Sequence, residues 1–144
     1  MNLKQTFLLV ATLTTVTVIA GDTLQPGVVG RYYQMPGSLD DFPSLPAGQK
    51  PSVERVDKEV NFASTLEAFP GTKLVDNFYV NWTGVIRIAK DGKYTFFLES
   101  DDGSRLSIDG KEVVDHSGTH DMTEMSGRVE LKAGDHELKL EFFD

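Results

Sequence analysis

The chain has 144 residues, no cysteine, and 22 Asp and Glu against 14 Lys and Arg, for a net charge of −8. An acidic balance of this size argues against nucleic acid or an anionic membrane surface as partner, because both require a basic footprint. It is compatible with cation binding, and with no disulfide available the fold has to be held by its core, helped if anything by a bound ion.

The first stretch, MNLKQTFLLVATLTTVTVIA, places Lys4 near the start and then runs uncharged from Phe7 to Ala20. A basic start, a short apolar middle and small residues at Val18 and Ala20 predict a cleavable secretory signal peptide over residues 1–20. The apolar run is too short to cross a bilayer, which takes about 20 residues. No cysteine follows it, so a thiol-linked lipid anchor is excluded. The expected product is secreted, into the extracellular space or the periplasm. Removing residues 1–20 leaves 124 residues, enough for one domain over 21–144, with a net charge of −9.

Beyond residue 20, period-two alternation recurs with turn residues between the runs, and no long stretch keeps helical spacing. GVVGRYYQ (27–34) predicts a first strand, and MPGSLDDFPSLPAGQKPS, with four of the six prolines, a long surface loop. KEVNF (58–62) predicts a short strand, and ASTLEAFPGTKLVD a loop or single helical turn. FYVNWTGVIRIAK reaches Asp91–Gly92, a hairpin turn pair, and returns as KYTFFLES, with Tyr94, Phe96 and Leu98 on one face. SRLSIDGKEVVD predicts a hairpin at Asp109–Gly110, and GRVELKAGDHELKLEFF another at Ala133–Gly134–Asp135. The class is all-β, an antiparallel sandwich of two packed sheets with jelly-roll character. The last strand runs to the final residue, which predicts an unpaired neighbour or an exposed edge, and a domain lacking its C-terminal strand.

Within LESDDGSRLSIDG, Asp101 and Asp102 are adjacent acids at the end of a strand. Two carboxylates about 5 Å apart repel by anything from under 1 to 3 kcal/mol, depending on screening. The pair is therefore either an ordinary solvated turn or a place for a cation. His116 and His120 are spaced as zinc ligands would be on a helix, but Gly118 and its Ser and Thr neighbours predict a loop, and no HExxH glutamate is present. Trp82 is expected in the core, Tyr32 and Tyr33 on opposite faces, and the Asn81–Trp82–Thr83 sequon, mid-strand, is uninformative. Adjacent acids in one turn do not frame a hydrolytic cleft, and no nucleophile–base order, phosphate loop or redox pair occurs, so the chain is not expected to be an enzyme.

Gly30–Arg31–Tyr32–Tyr33, Trp82–Thr83–Gly84, Gly92-x-Tyr94-x-Phe96, Ser100–Asp101–Asp102–Gly103–Ser104, Ile108–Asp109–Gly110 and Gly134-x-His136 follow one another in an order that covers nearly the whole chain after residue 20. In that order the sequence resembles the protective-antigen-type (PA-fourteen) domain, a β-sandwich of toxins, fungal flocculins and bacterial glycoside hydrolases. In sugar-binding members two consecutive aspartates, joined by a cis peptide, chelate a calcium ion that also takes glycan hydroxyls. The resemblance puts both roles, metal ligand and carbohydrate contact, on Asp101 and Asp102, with Ca2+ as cofactor and glycans or cell-surface polysaccharide as partners. Calcium takes six to eight oxygens, so two aspartates leave the shell incomplete. The remaining ligands would come from a late loop that the chain does not reach, or from Asp115 to Asp121. The sequence thus predicts a secreted, non-catalytic, lectin-like module. The alternative is an architectural or interaction module of a larger secreted hydrolase or adhesin, without a glycan ligand.

Overall fold

The computed structural model describes residues 24–63 and 66–144; the predicted signal peptide lies outside them. Eight strands follow in chain order: β1 Val28–Gln34, β2 Val53–Asp57, β3 Phe78–Ile88, β4 Gly92–Ser100, β5 Ser104–Ile108, β6 Lys111–His116, β7 Thr123–Leu131 and β8 Gly134–Phe143. They form a six-stranded sheet in the order β2-β1-β3-β8-β5-β6 and a two-stranded sheet β4-β7, all pairs antiparallel. The predicted all-β antiparallel sandwich is what forms. No helix among the described residues is long and apolar enough to cross a membrane.

Alternation decides which face each strand buries. Phe78, Val80, Trp82, Ile86 and Ile88 of β3 point inward, as do Leu138, Leu140 and Phe142 of β8 and Leu106 and Ile108 of β5. Phe96, Leu98 and Leu131 close over one half of them from the small sheet. Over the other half no strand is needed, because the 58–76 connection supplies Val60, Phe62, Phe69 and Leu74. Its rings pack directly: Phe69 lies 5.7 Å from Tyr32 and 5.4 Å from Phe78 between centroids, and Phe62 stacks on Trp82. Each such buried side chain contributes about 1.5–3 kcal/mol of transfer free energy. Trp82 is fully buried, as expected. Tyr32 and Tyr33 do point to opposite faces, yet both are buried. Tyr33 joins Tyr79 and Phe143 in a second apolar layer on the outside of the large sheet, where the proline-rich loop brings Met35, Leu39, Phe42 and Leu45 over them.

The structure departs from the sequence expectations in three places. No strand forms at 58–62; β2 lies five residues earlier, at Val53–Asp57, where Asp57 is drawn inward to bond Tyr32 and Trp82. Only Asp109–Gly110 makes a hairpin, pairing β5 with β6. At Asp91–Gly92 and Ala133–Asp135 the chain instead crosses between sheets, since β3 and β8 pair with each other. The last strand itself is central, since β8 pairs with β3 on one side and β5 on the other and Asp144 exchanges two 3.0 Å backbone bonds with Phe78; the exposed edge expected from the sequence is that of β4, which among the described residues pairs only with β7.

Candidate functional site

β4 and β5 belong to different sheets, and the three-residue path between their ends carries both acids. The buried hydroxyls of Ser100 and Ser104 meet at 2.7 Å and pin the two ends of that path together. The Asp101–Asp102 peptide is cis. Gly103 follows because nothing larger fits: a Cβ there would lie 2.3 Å from the Phe143 ring and 3.1 Å from the Gly118 carbonyl.

Asp101 is 8% exposed and Asp102 half-buried. The connection from β6 to β7 faces them, and its His120 backbone N–H donates to Asp102 Oδ1 at 3.1 Å. That connection is held by its two histidines, whose rings stack at 3.9 Å between centroids and 14° between planes. His116 Nε2 meets Thr123 Oγ1 at 3.1 Å, and the His120 ring nitrogens lie 3.0 Å from the Asp121 carbonyl and 3.3 Å from that of His116. The histidines thus serve as the brace of a loop, as their loop setting predicted. The contact of His120 with Asp102 spans 18 residues and carries no sequence signal.

The charge on Asp102 is disfavoured where it stands. Burial pushes the Asp102 carboxyl above the usual carboxylate range, against the His120 N–H and the His120 ring, and the Asp121 charge raises it further. Among the described residues, no Lys or Arg forms an ion pair with Asp102. Against a full metal cage stands the donor count: among the described residues no group of three or more His, Cys, Asp or Glu side chains is gathered as a cluster. Asp115 is turned to the Ser117 N–H. Two carboxylates from one turn would leave most of a calcium shell of six to eight oxygens to backbone carbonyls, water or ligand hydroxyls.

A concavity of about 800 Å3 lies on the outer face of β3, β8 and β5 and does not include the acid pair. Its floor is closed by internal pairing: buried Glu141 accepts from Tyr79 Oη at 2.6 Å, Lys139 Nζ at 2.8 Å and Arg105 Nε at 3.0 Å.

The two histidines most constrained by the fold should titrate apart. Burial, then the neighbouring His120 charge, lowers His116; a hydrogen bond donated to Asp109, then one to the Lys132 carbonyl, raises His136. A proton NMR titration should find His116 below 6.5 and His136 above it. By linkage, the His116 contribution to stability is complete above pH 6.5 and is lost as pH falls towards its folded pKa. The His136 contribution is complete below 6.5 and is lost as pH rises through its folded pKa.

Fold and turn together define a single antiparallel β-sandwich module with an acid pair on the crossing between its sheets. The chain matches the PA14 domain model over residues 24–144, and it belongs to that family. It is 35% identical over 69 residues to the anti-sigma-I factor RsgI3 of Acetivibrio thermocellus, a match over 47% of this chain and 11% of that protein. An anti-sigma factor domain-containing protein from Clostridium clariflavum superposes with a TM-score of 0.64 at 29% identity, over 81% of this chain and 36% of the other. The PA14 sugar-binding domain from an RTX adhesin superposes with a TM-score of 0.67 at 19% identity, over 81% of each chain, a likeness of fold. The chain thus spans about a tenth of the curated relative that it matches.

Proposed function

We propose that this PA14 domain is a non-catalytic carbohydrate-binding module working outside the cell, with a calcium ion held by Asp101 and Asp102. The observation that carries the reading is the desolvated Asp102 carboxyl beside a second, buried acid, with no ion pair from Lys or Arg to Asp102 among the described residues. Calcium bound there would offer open coordination positions to a pair of sugar hydroxyls. The protein's own part is to hold the two carboxylates at the sheet crossing through the Ser100–Ser104 contact, and to set the facing loop against them through His120. The sugar-binding PA14 domain of the adhesin supports the same use of the fold. Affinity for the metal should be low, in the range of about 10⁻⁴–10⁻³ M usual for extracellular calcium modules, with repetition or attachment supplying avidity.

A second reading is an interaction or sensing module of a larger protein with no calcium-dependent glycan. It is favoured by the 28–29% identity to solved anti-sigma factor chains, of which this chain covers 39% and 36%. Calorimetric titration with a panel of oligosaccharides, in calcium and then in excess chelator, separates the two. Heat of binding seen in calcium and abolished by chelator supports the first; a flat response to every sugar in both buffers overturns it in favour of the second.

A further inference from the structure

The proline-rich loop over residues 35–52 is fastened to the large sheet by its backbone at its two ends. The Met35 N–H donates to the Asn77 carbonyl at 2.8 Å, and the Ser52 N–H to the Tyr32 carbonyl at 2.7 Å. Between them, among the described residues, the one backbone bond is internal, from the Gln49 N–H to the Pro46 carbonyl at 3.0 Å. Apolar side chains seat the middle: Leu39, Phe42 and Leu45 lie on the buried layer of Tyr33, Tyr79 and Phe143. Side-chain burial and one cation–π contact therefore hold this strap, and it can lift as a unit without breaking a ladder hydrogen bond.

Phe42 carries the strap to the acid pair. Its ring meets that of Phe143 at 5.1 Å between centroids and 88° between planes, an edge-to-face geometry that aromatic pairs prefer. The Arg105 guanidinium lies over the Phe42 ring, 4.2 Å from its centroid, and is itself fixed by Glu141 at 3.0 Å. Phe143 is fully buried and joined to Gly103 twice. Its N–H donates to the Gly103 carbonyl at 3.0 Å, and its ring fills the space that a Cβ on Gly103 would take, 2.3 Å away. Gly103 follows Asp102 directly, so the path from Phe42 through Phe143 and Gly103 to the acids is one of packed rings and covalent bonds. We propose that the strap regulates the acid pair. Seated through Phe42, it holds the turn of Asp101 and Asp102 against the 117–122 loop in the arrangement that takes the ligand; unseated, it lets the turn and its bond to His120 loosen. The inference rests on the acid pair being the ligand site. Because coupling between two sites is reciprocal, a ligand at the acids steadies the strap, and whatever displaces the strap weakens the ligand.

The test reads the turn first without metal. The His120 N–H donates to Asp102 Oδ1, so its amide hydrogen exchange, followed by NMR, reports how firmly the turn is held. In metal-free protein Phe42→Ala should speed His120 exchange about tenfold, the scale of coupling between residues in contact. Phe42→Tyr, which keeps the ring, should restore the wild-type rate. Phe62→Ala is the control, since that ring packs on Phe69 and Trp82 on the inner side of the large sheet, at 4.7 and 6.1 Å between centroids. It should lower the melting temperature and leave His120 exchange, measured well below the transition, at the wild-type rate. Calcium is then titrated against melting temperature, and Phe42→Ala should need about tenfold more of it for the same rise. Unchanged His120 exchange in Phe42→Ala, or equal acceleration by Phe62→Ala, would overturn the coupling even where calcium binds. A wild type indifferent to calcium, with the exchange rates as expected, would instead overturn the ligand reading and with it the regulation, leaving a packing contact.

Discussion

Replacing Asp57 with Ala should lower the stability of the domain by about 3–5 kcal/mol, the cost of breaking a buried charge network from one side. Asp57 is 8% exposed at the end of β2. One carboxylate oxygen accepts from Tyr32 Oη at 2.5 Å and Trp82 Nε1 at 2.8 Å; the other accepts from Arg55 Nε at 2.7 Å. Removing the acid takes away the acceptor that Tyr32 Oη and Trp82 Nε1 share, on two fully buried aromatic side chains. Burial, then the bond to Asp57, pushes the Tyr32 hydroxyl well above its ordinary pKa, so it stays a donor. Gly30 opens the space for this knot: a Cβ there would stand 2.6 Å from the carboxylate. Thermal unfolding should show a midpoint lowered by about 10–20 °C for a domain of this size. A loss under 1 kcal/mol would mean that the network does not hold β2 and the 58–76 connection in place.

Gly127→Ala should cost about 3 kcal/mol or prevent folding, for a different reason. Gly127 stands opposite Phe96 in the small sheet, on its inward face. There β7 lies directly on β6: a Cβ would come within 1.7 Å of the Val113 carbonyl oxygen and 2.7 Å of its carbon. The obstacle is backbone, which no rotamer change relieves, so the two sheets would have to move apart. Gly37→Ala is the control, with nothing within 4 Å of the added methyl and an expected change within about 0.5 kcal/mol. Urea unfolding of the pair gives both values; equal, small effects would refute the close approach of the sheets.

These residues also show what sequence could and could not reveal. Alternation in β4 put Phe96 and Leu98 together on the face that is buried, and Trp82 of β3 lies in the core as its strand setting implied, because a strand with one buried face writes its period directly. Pairing was harder. Asp91–Gly92 and Asp109–Gly110 look alike in sequence, yet only the second takes positive φ at both residues, 51° and 71°, as a tight hairpin requires. The first is a sheet crossing, tied to the opposite turn through Asp91 Oδ1 and the Ala133 N–H at 2.9 Å. The long-range pairing of β3 with β8 decided between them, and no local signal carries it. The acid pair stood out because two like charges in one turn need a reason. The Ser100–Ser104 contact and the His120 bond to Asp102 were invisible, being ordinary residues brought together by the fold.

A domain with an incomplete side-chain cage at its acid pair has a testable dependence on what fills it. The most direct measurement is the melting temperature of the wild type and of Asp101→Asn plus Asp102→Asn, each with and without calcium. The Asn pair keeps shape and removes charge, so it isolates the metal. At ten times its dissociation constant, calcium should stabilise the wild type by about 1.4 kcal/mol, a rise of a few degrees, and leave the double variant unmoved. No rise in a folded wild type, or an equal rise in both proteins, would contradict a calcium site at Asp101 and Asp102.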